Sequence, residues 1–296
     1  MGEIVGAGLI AHVPTIVLPE ATRLELNDGK EISLVPGLRR LRAEVLDRLR
    51  PDTIIVLDAH WATTVEFVVA SHARRTGFYT SEELPRGMSS VPYDFPGDPE
   101  LAIALEAECA GRDDMWITAI DNPHLPVHYP TINLLRYLQG DERWMSIGCC
   151  QTAEPDDSLL VGELLGRAIA RLDRRVVVLA SGALSHTFWP LRQLRAHETS
   201  DPKHIFSDEA RAADAAVLAA FWRGDHAAVI DDMPNYLTVK PEARFGHYLM
   251  MAGALGGRRW TAPGEAFSDY ENSVGTAQMH VWFERPEHGW TWRPGA

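Results

Sequence analysis

A run of apolar, largely β-branched residues that delivers a histidine occurs three times in this chain, and it limits the possible folds more than any other feature. From Thr53 to Leu57 the sequence TIIVL reads as a strand buried on both faces, as in a parallel sheet, and Asp58-Ala59-His60 follows directly. Residues 4 to 12, IVGAGLIAH, form a second run ending in His12, where Pro14 discourages further pairing by removing a backbone donor. The third run, RVVVLA from Arg175 to Ala180, passes through the small-residue turn Ser181-Gly182-Ala183-Leu184-Ser185 to His186. One strand-end histidine is ordinarily a buried polar group satisfied by a neighbour. Three such placements among twelve histidines point to a shared site at least as readily as to three separate structural residues.

Helical periodicity separates these runs. Leu38, Leu41, Val45, Leu46 and Leu49 share one helical face, and Pro51-Asp52 ends that helix before the His60 strand. The rhythm continues with helices near 99–111, 131–138 and 158–172 and strands near 116–121 and 144–149. Helices at 207–223 and 248–255 and a turn into a final strand within 273–283 complete the chain. The order predicts an α/β fold with a mostly parallel central sheet flanked by helices, its site at the carboxyl ends of the strands. A single catalytic domain is expected over residues 1–284, followed by a loosely held tail over 285–296. Residues 71–99, rich in Pro, Gly, Ser and Tyr, read as a long loop over a binding site.

Composition narrows the function. A formal net charge of −13 argues against nucleic acid, whose backbone is bound by clustered Lys and Arg. The patch Arg39-Arg40-Leu41-Arg42 fits the solvated face of an amphipathic helix. No apolar run approaches the roughly 20 residues of a membrane span, and the N-terminus lacks the features of a secretory signal, so a cytoplasmic location is expected. Cys109, Cys149 and Cys150 match no zinc spacing and read as reduced, buried thiols.

There is no G-x-S-x-G elbow, no phosphate-cradling G-x-x-x-x-G-K-[ST], and Gly6-Ala7-Gly8 leads to no third glycine opening a helix. An imidazole-rich site remains. Two histidines and one carboxylate on one face of a metal leave positions open for substrate and O₂, as in non-haem Fe(II) oxygenases, and zinc hydrolysis could use similar ligands.

The segments GLIAHVPT (8–15), VLDAHWATT (56–64), HYPT (128–131), LASGALSH (179–186) and PEARFGHYLMMAGAL (241–255) together resemble the class III extradiol ring-cleavage dioxygenases over nearly the whole chain. The chain is most similar to the homoprotocatechuate 2,3-dioxygenase and 2-aminophenol 1,6-dioxygenase branches. The resemblance implies Fe(II) as cofactor, a small aromatic diol and O₂ as substrates, and a homo-oligomer, with a second subunit in the aminophenol branch. It also implies His12 and His60 as iron ligands, and a glutamate ahead of a late helix as the third. The offset from Gly253-Ala254-Leu255 assigns that glutamate to Glu242, with Glu265 and Glu271 as competitors. The family's acid–base histidine falls on His186. Many members carry a second histidine where this chain has Tyr129, a side chain that can hydrogen-bond a substrate but is a poor base at neutral pH. Asp58 stands as either a partner of the His60 site or a turn cap. The same resemblance extends to the Memo-like proteins, which share the fold and act as binding modules.

Overall fold

The computed structural model describes residues 1–291. Its strands are β1 (Glu3–Ile10), β2 (Thr53–Thr63), β3 (Phe67–Ala70), β4 (Arg74–Tyr79), β5 (Val91–Pro96) and β6 (Ile117–Ile120). They continue with β7 (Arg143–Cys150), β8 (Arg175–Ser181), β9 (Gly264–Ala266), β10 (Glu271–Ser273), β11 (Thr276–Gln278) and β12 (Val281–Glu284). Eight of them form one sheet in the order β6-β3-β7-β2-β8-β1-β12-β9. The centre of this sheet, β7-β2-β8-β1, is parallel throughout, while β12 and β9 are antiparallel at one side.

Strand alternation divides the core into two layers. Ile55 and Leu57 of β2 and Val176, Val178 and Ala180 of β8 face the helices Pro155–Arg171 and Gly246–Ala254. Ile54, Val56, Val177 and Leu179 face Tyr129–Leu138 and the helix that begins at Leu34. Burial on both faces explains why these strands are continuously apolar in sequence. The two helices of the first layer approach closely: a side chain on Gly253 would overlap the Leu159 carbonyl, its Cβ only 2.0 Å away.

The expected α/β architecture is present, with differences in detail. The helix expected from Leu38 begins at Leu34, since Pro36 is tolerated in a first turn, and it contains a π-helical stretch, Leu41–Leu46. Residues 71–99 are not one irregular loop, because β4 and β5 pair as an antiparallel ribbon from Arg74↔Pro96 to Tyr79↔Val91. Proline is tolerated on so small an edge ribbon, so Pro92 and Pro96 masked the strand in the sequence. The expected loose tail is anchored as far as it is described: the Trp290 indole donates to the Ile4 carbonyl at 3.0 Å. Residues 292–296 lie outside the described residues.

Two buried histidines tie the last third of the chain to the sheet. His280 Nδ1 accepts the Ala11 amide at 3.1 Å while Nε2–H donates to the Leu34 carbonyl at 3.1 Å. His226 Nε2–H donates to the Ala262 carbonyl at 2.8 Å, and its Nδ1 accepts from the Tyr248 hydroxyl at 3.0 Å. His280 is satisfied only when neutral, since its Nδ1 accepts an amide, and burial pushes both pKa values down, to about 3 for His226 and about 4 for His280. In the unfolded chain a histidine titrates near about 6.5, so acid favours unfolding. The stability these rings contribute is complete above that value and is lost as pH falls from it, to about 4 for His280 and about 3 for His226. At about 1.36 kcal/mol per unit, these displacements correspond to on the order of 3 kcal/mol for His280 and 5 kcal/mol for His226. Urea midpoints are therefore expected to be clearly lower at pH 5 than at pH 7.5, and equal midpoints would contradict the assignment.

Candidate metal centre

Sheet register brings the histidines together. Ile10 and Asp58 both pair with Ser181, so one row crosses β1, β8 and β2 at their carboxyl ends. His12 and His60 each lie two residues beyond that row, and His186 follows β8 on the same edge. His60 does not follow its strand, as TIIVL suggested, but sits within it. Pairing of β2 with β7 jumps from Asp58↔Gly148 to Ala62↔Cys149, leaving Ala59, His60 and Trp61 in a bulge that re-aims the imidazole. Asp58 Oδ1 accepts the His60 and Trp61 amides, each at 3.0 Å, which replaces the lost ladder bonds. Its role is that of a cap for the bulge.

Glu242 arrives from the other side of the site. The Ser185↔Pro241 bridge and the flanking bonds His186 N–H to the Lys240 carbonyl (3.0 Å) and Glu242 N–H to the Leu184 carbonyl (3.1 Å) fix the segment. Immediately after it, Ala243, Arg244 and Phe245 all adopt left-handed backbone, with φ of 46°, 56° and 61°. Such conformations are costly for residues with a Cβ and cluster where surrounding structure enforces them at functional sites. The turn starts the helix Gly246–Ala254 with Phe245 buried beneath it.

Ligand atoms of His12, His60 and Glu242 lie within 4.8 Å of one another, and this is the group capable of holding a metal ion among the described residues. Glu242 Oε1 is 3.4 Å from Nε2 of both His12 and His60. Those separations are long for good hydrogen bonds. They lie close to the roughly 3 Å expected between atoms sharing one ion at about 2.1 Å, so the donor set fits a metal with two imidazoles and one carboxylate. The other expected glutamates are elsewhere. Glu265 is exposed on β9 opposite Trp282, and buried Glu271 accepts the Ser33 amide at 2.7 Å.

Each of the three side chains has a polar neighbour. Ser181 Oγ lies 2.9 Å from His12 Nδ1, whereas the half-exposed Glu83 carboxylate stands 3.5 Å from His60 Nδ1, beyond a good hydrogen bond, and both Nε2 atoms face Glu242 Oε1. The Ala183 amide donates to Glu242 Oε2 at 2.5 Å. Gly182, between these two anchors, has no room for a side chain, since a Cβ would stand 2.4 Å from His247 Nε2. Ser185 is held by buried Asp214, which accepts its amide at 3.0 Å and its hydroxyl at 2.7 Å, and also the hydroxyls of Tyr236 and Tyr270. The SGALSH segment thus has nearly every polar group committed to holding the site.

Electrostatics follow from this crowding. Burial pushes the Glu242 carboxyl up, but the His12 and His186 imidazoles more than offset it and hold the group well below the usual carboxylate range. Burial opposes protonation of His12, yet the adjacent Glu242 carboxylate leaves its pKa raised. His60, desolvated and beside His12, is pushed down to about 4. His12 and Glu242 therefore form a buried pair shifted toward its charged forms, beside a neutral, partly exposed His60, and a buried carboxylate of this kind favours a cation next to it.

His186 lines the open side, and Tyr129 is buried against His60. The Tyr129 hydroxyl lies 2.5 Å from His60 Nε2, and burial raises its pKa, so it remains a donor. His186 Nε2 stands 3.9 Å from Glu242 Oε1, and its ring packs edge-on against Phe188 at 4.8 Å. A cavity of about 280 Å³ is lined by His60, His186, Glu242 and Arg244. That volume suffices for an aromatic ring, since a cavity of about 150 Å³ takes up benzene. His128 is turned away from this centre and stacks on Trp61 at 5.6 Å. Sequence reasoning missed Glu83, Ser181, Asp214 and Arg244. Ser181 and Arg244 fall in segments that the sequence singles out, and Glu83 in the stretch read as a loop over the site; Asp214 gave no signal.

Residues 6–284 match the family described as the catalytic LigB subunit of aromatic ring-opening dioxygenase. The chain is 30% identical over 263 residues to the 3,4-dihydroxyphenylacetate 2,3-dioxygenase of Escherichia coli, covering 86% of this chain and 91% of that one. It is 29% identical over 201 residues to the 2-aminophenol 1,6-dioxygenase beta subunit of a Pseudomonas species, covering 62% of this chain and 63% of the relative. An uncharacterized protein of Escherichia coli K12 shares the fold, with a TM-score of 0.64 and 18% identity over 94% of this chain and 99% of that one. No helix of the described residues is long and apolar enough to cross a membrane. On the family match and on its likeness to a ring-cleaving relative along most of its length, the chain belongs to the LigB family of aromatic ring-opening dioxygenases, of the class III extradiol type.

Proposed function

We propose that the protein opens the ring of a catechol-type aromatic resembling 3,4-dihydroxyphenylacetate, using O₂ at a non-haem Fe(II) centre, and releases a ring-opened semialdehyde. The observation that carries this reading is the convergence of His12, His60 and Glu242 on one point, two of them, His60 and Glu242, lining a cavity that His186 also lines. Two imidazoles and a carboxylate are the donor set that suits Fe(II) with positions left open. When bound, the iron supplies Lewis acidity to the diol oxygens and a path for electrons from the ring to O₂.

The remaining work falls to the chain. His12 Nε2, His60 Nε2 and the Glu242 carboxylate would hold the metal, while Ser181 keeps the His12 ring turned inward. His186 Nε2 takes a proton from a ring hydroxyl and returns it later in the cycle, a task for which imidazole is suited near neutral pH. Tyr129, kept protonated by burial, serves as a hydrogen-bond donor to substrate oxygen once His60 Nε2 is occupied. The carbon–carbon bond beside the diol breaks, and both atoms of O₂ enter the product, one in a carboxylate and one in an aldehyde. The presence of ligands and a proton carrier together argues against a purely binding role of the Memo-like kind.

Tyr129→Phe is expected to lower turnover about ten-fold, in line with the loss of one hydrogen bond to a charged group, without loss of metal. Unchanged kinetics would remove the hydroxyl from the chemistry. The proposal itself is tested by loading the protein anaerobically with Fe(II), adding catechols and aminophenols singly, and admitting air. A coloured semialdehyde from a catechol, absent after loading with Zn(II), is the expected result, and no product from any diol would overturn it. A likeness to a relative named as a beta subunit also favours a test for a second chain, which would co-purify in stoichiometric amount if the enzyme is built from two subunits.

A further inference from the structure

Arg244 is the one cation among the described residues lining the cavity that contains His60, His186 and Glu242. The other walls are alanine, cysteine and glutamine side chains, which offer an anion nothing of opposite charge. Arg244 reaches this wall because the left-handed turn after Glu242 folds the chain back within two residues. Glycine would relieve the strain at any of these positions, yet Ala243, Arg244 and Phe245 all carry a side chain there.

The guanidinium is only loosely engaged. Its Nη2 meets Glu154 Oε2 at 3.0 Å, but the two side chains are 44% and 71% exposed, so the pair belongs to the weak surface class. An arginine has five N–H donors in a planar fork, so most remain open to a carboxylate. The rest of the molecule gives an anion no help, with a net charge of −13. A negatively charged substrate entering this cavity therefore meets its attraction locally, from Arg244 on the wall and from any metal that His60 and Glu242 would hold.

We propose that Arg244 is the specificity-determining residue of this site, exchanging Glu154 for a carboxylate on the ring substituent. The substrate class is then a catechol carrying a short carboxylate-terminated side chain, preferred over neutral catechols and aminophenols. The inference rests on the ring-cleavage reading above, but its test separates the two.

Two diols of similar ring, 3,4-dihydroxyphenylacetate and 4-methylcatechol, are compared by kcat/KM in the iron-loaded wild type and in Arg244→Gln, Arg244→Lys and Glu154→Gln. Arg244→Gln is expected to lower the acid-to-neutral selectivity ratio about 10- to 100-fold, mainly through KM, the range for a lost charged hydrogen bond. Lysine should restore part of the ratio, and Glu154→Gln should raise it by freeing the guanidinium. Anaerobic calorimetry of the same diols should give a parallel change in Kd, independent of turnover. A selectivity ratio and a Kd ratio unchanged in Arg244→Gln would overturn the proposal even if both diols are cleaved. If neither diol is cleaved by the wild type, the ring-cleavage reading fails, while the Kd ratio still decides whether Arg244 reads the carboxylate.

Discussion

Glu242→Gln is expected to lower Fe(II) affinity by more than about 100-fold while leaving the protein folded. The amide matches the carboxylate in shape, and its carbonyl can still accept the Ala183 amide that now donates to Oε2. What is lost is the charge. Burial disfavours the ionised carboxylate, yet the imidazoles of His12 and His186 keep it ionised, an arrangement that is costly unless a cation fills the space between them. Removing residues that merely orient a ligand typically costs 10- to 100-fold in metal affinity, so losing a ligand should exceed that range. His12→Ala should behave alike, because its buried ring meets Ser181 and Glu242 and otherwise packs only edge-on against His60 and Tyr129. Metal content after dialysis against limiting Fe(II), together with unchanged circular dichroism, checks both variants. Full retention of iron in either would remove that residue from the ligand set.

His186→Gln should show the opposite split. Its Nε2 is 3.9 Å from Glu242 Oε1 and lies at the edge of the cavity, so the metal stays while the proton carrier is lost. A general acid–base group contributes about 10²- to 10⁴-fold, and kcat for catechol opening should fall within that range. Metal stoichiometry and anaerobic substrate binding should change little. Loss of iron from this variant, or turnover within a few-fold of wild type, would place His186 in a different role.

The three histidines were legible because strands buried on both faces are continuously apolar, so a histidine at the end of each stands out. Their convergence was legible from the β-α-β order, which aligns parallel strands in one direction. The bulge at Ala59–Trp61 was not, since it arises from a register jump between β2 and β7 that leaves no local pattern. Glu242 could be chosen among three glutamates only through a family offset, because its position depends on pairing with Leu184 and on a left-handed turn that lacks glycine. Asp214 was invisible for a similar reason: its partners Ser185, Tyr236 and Tyr270 are scattered along the chain and meet only in the folded protein. Glu83 lay in the stretch read as a loop over the site. The ribbon of β4 and β5 supports that stretch and carries the carboxylate to His60.

The most direct measurement is a crystal structure of the protein grown anaerobically with Fe(II), with anomalous diffraction collected at the iron edge. A single strong peak bonded to His12 Nε2, His60 Nε2 and the Glu242 carboxylate is the predicted result. A peak elsewhere, or none at saturating Fe(II), would contradict the central claim.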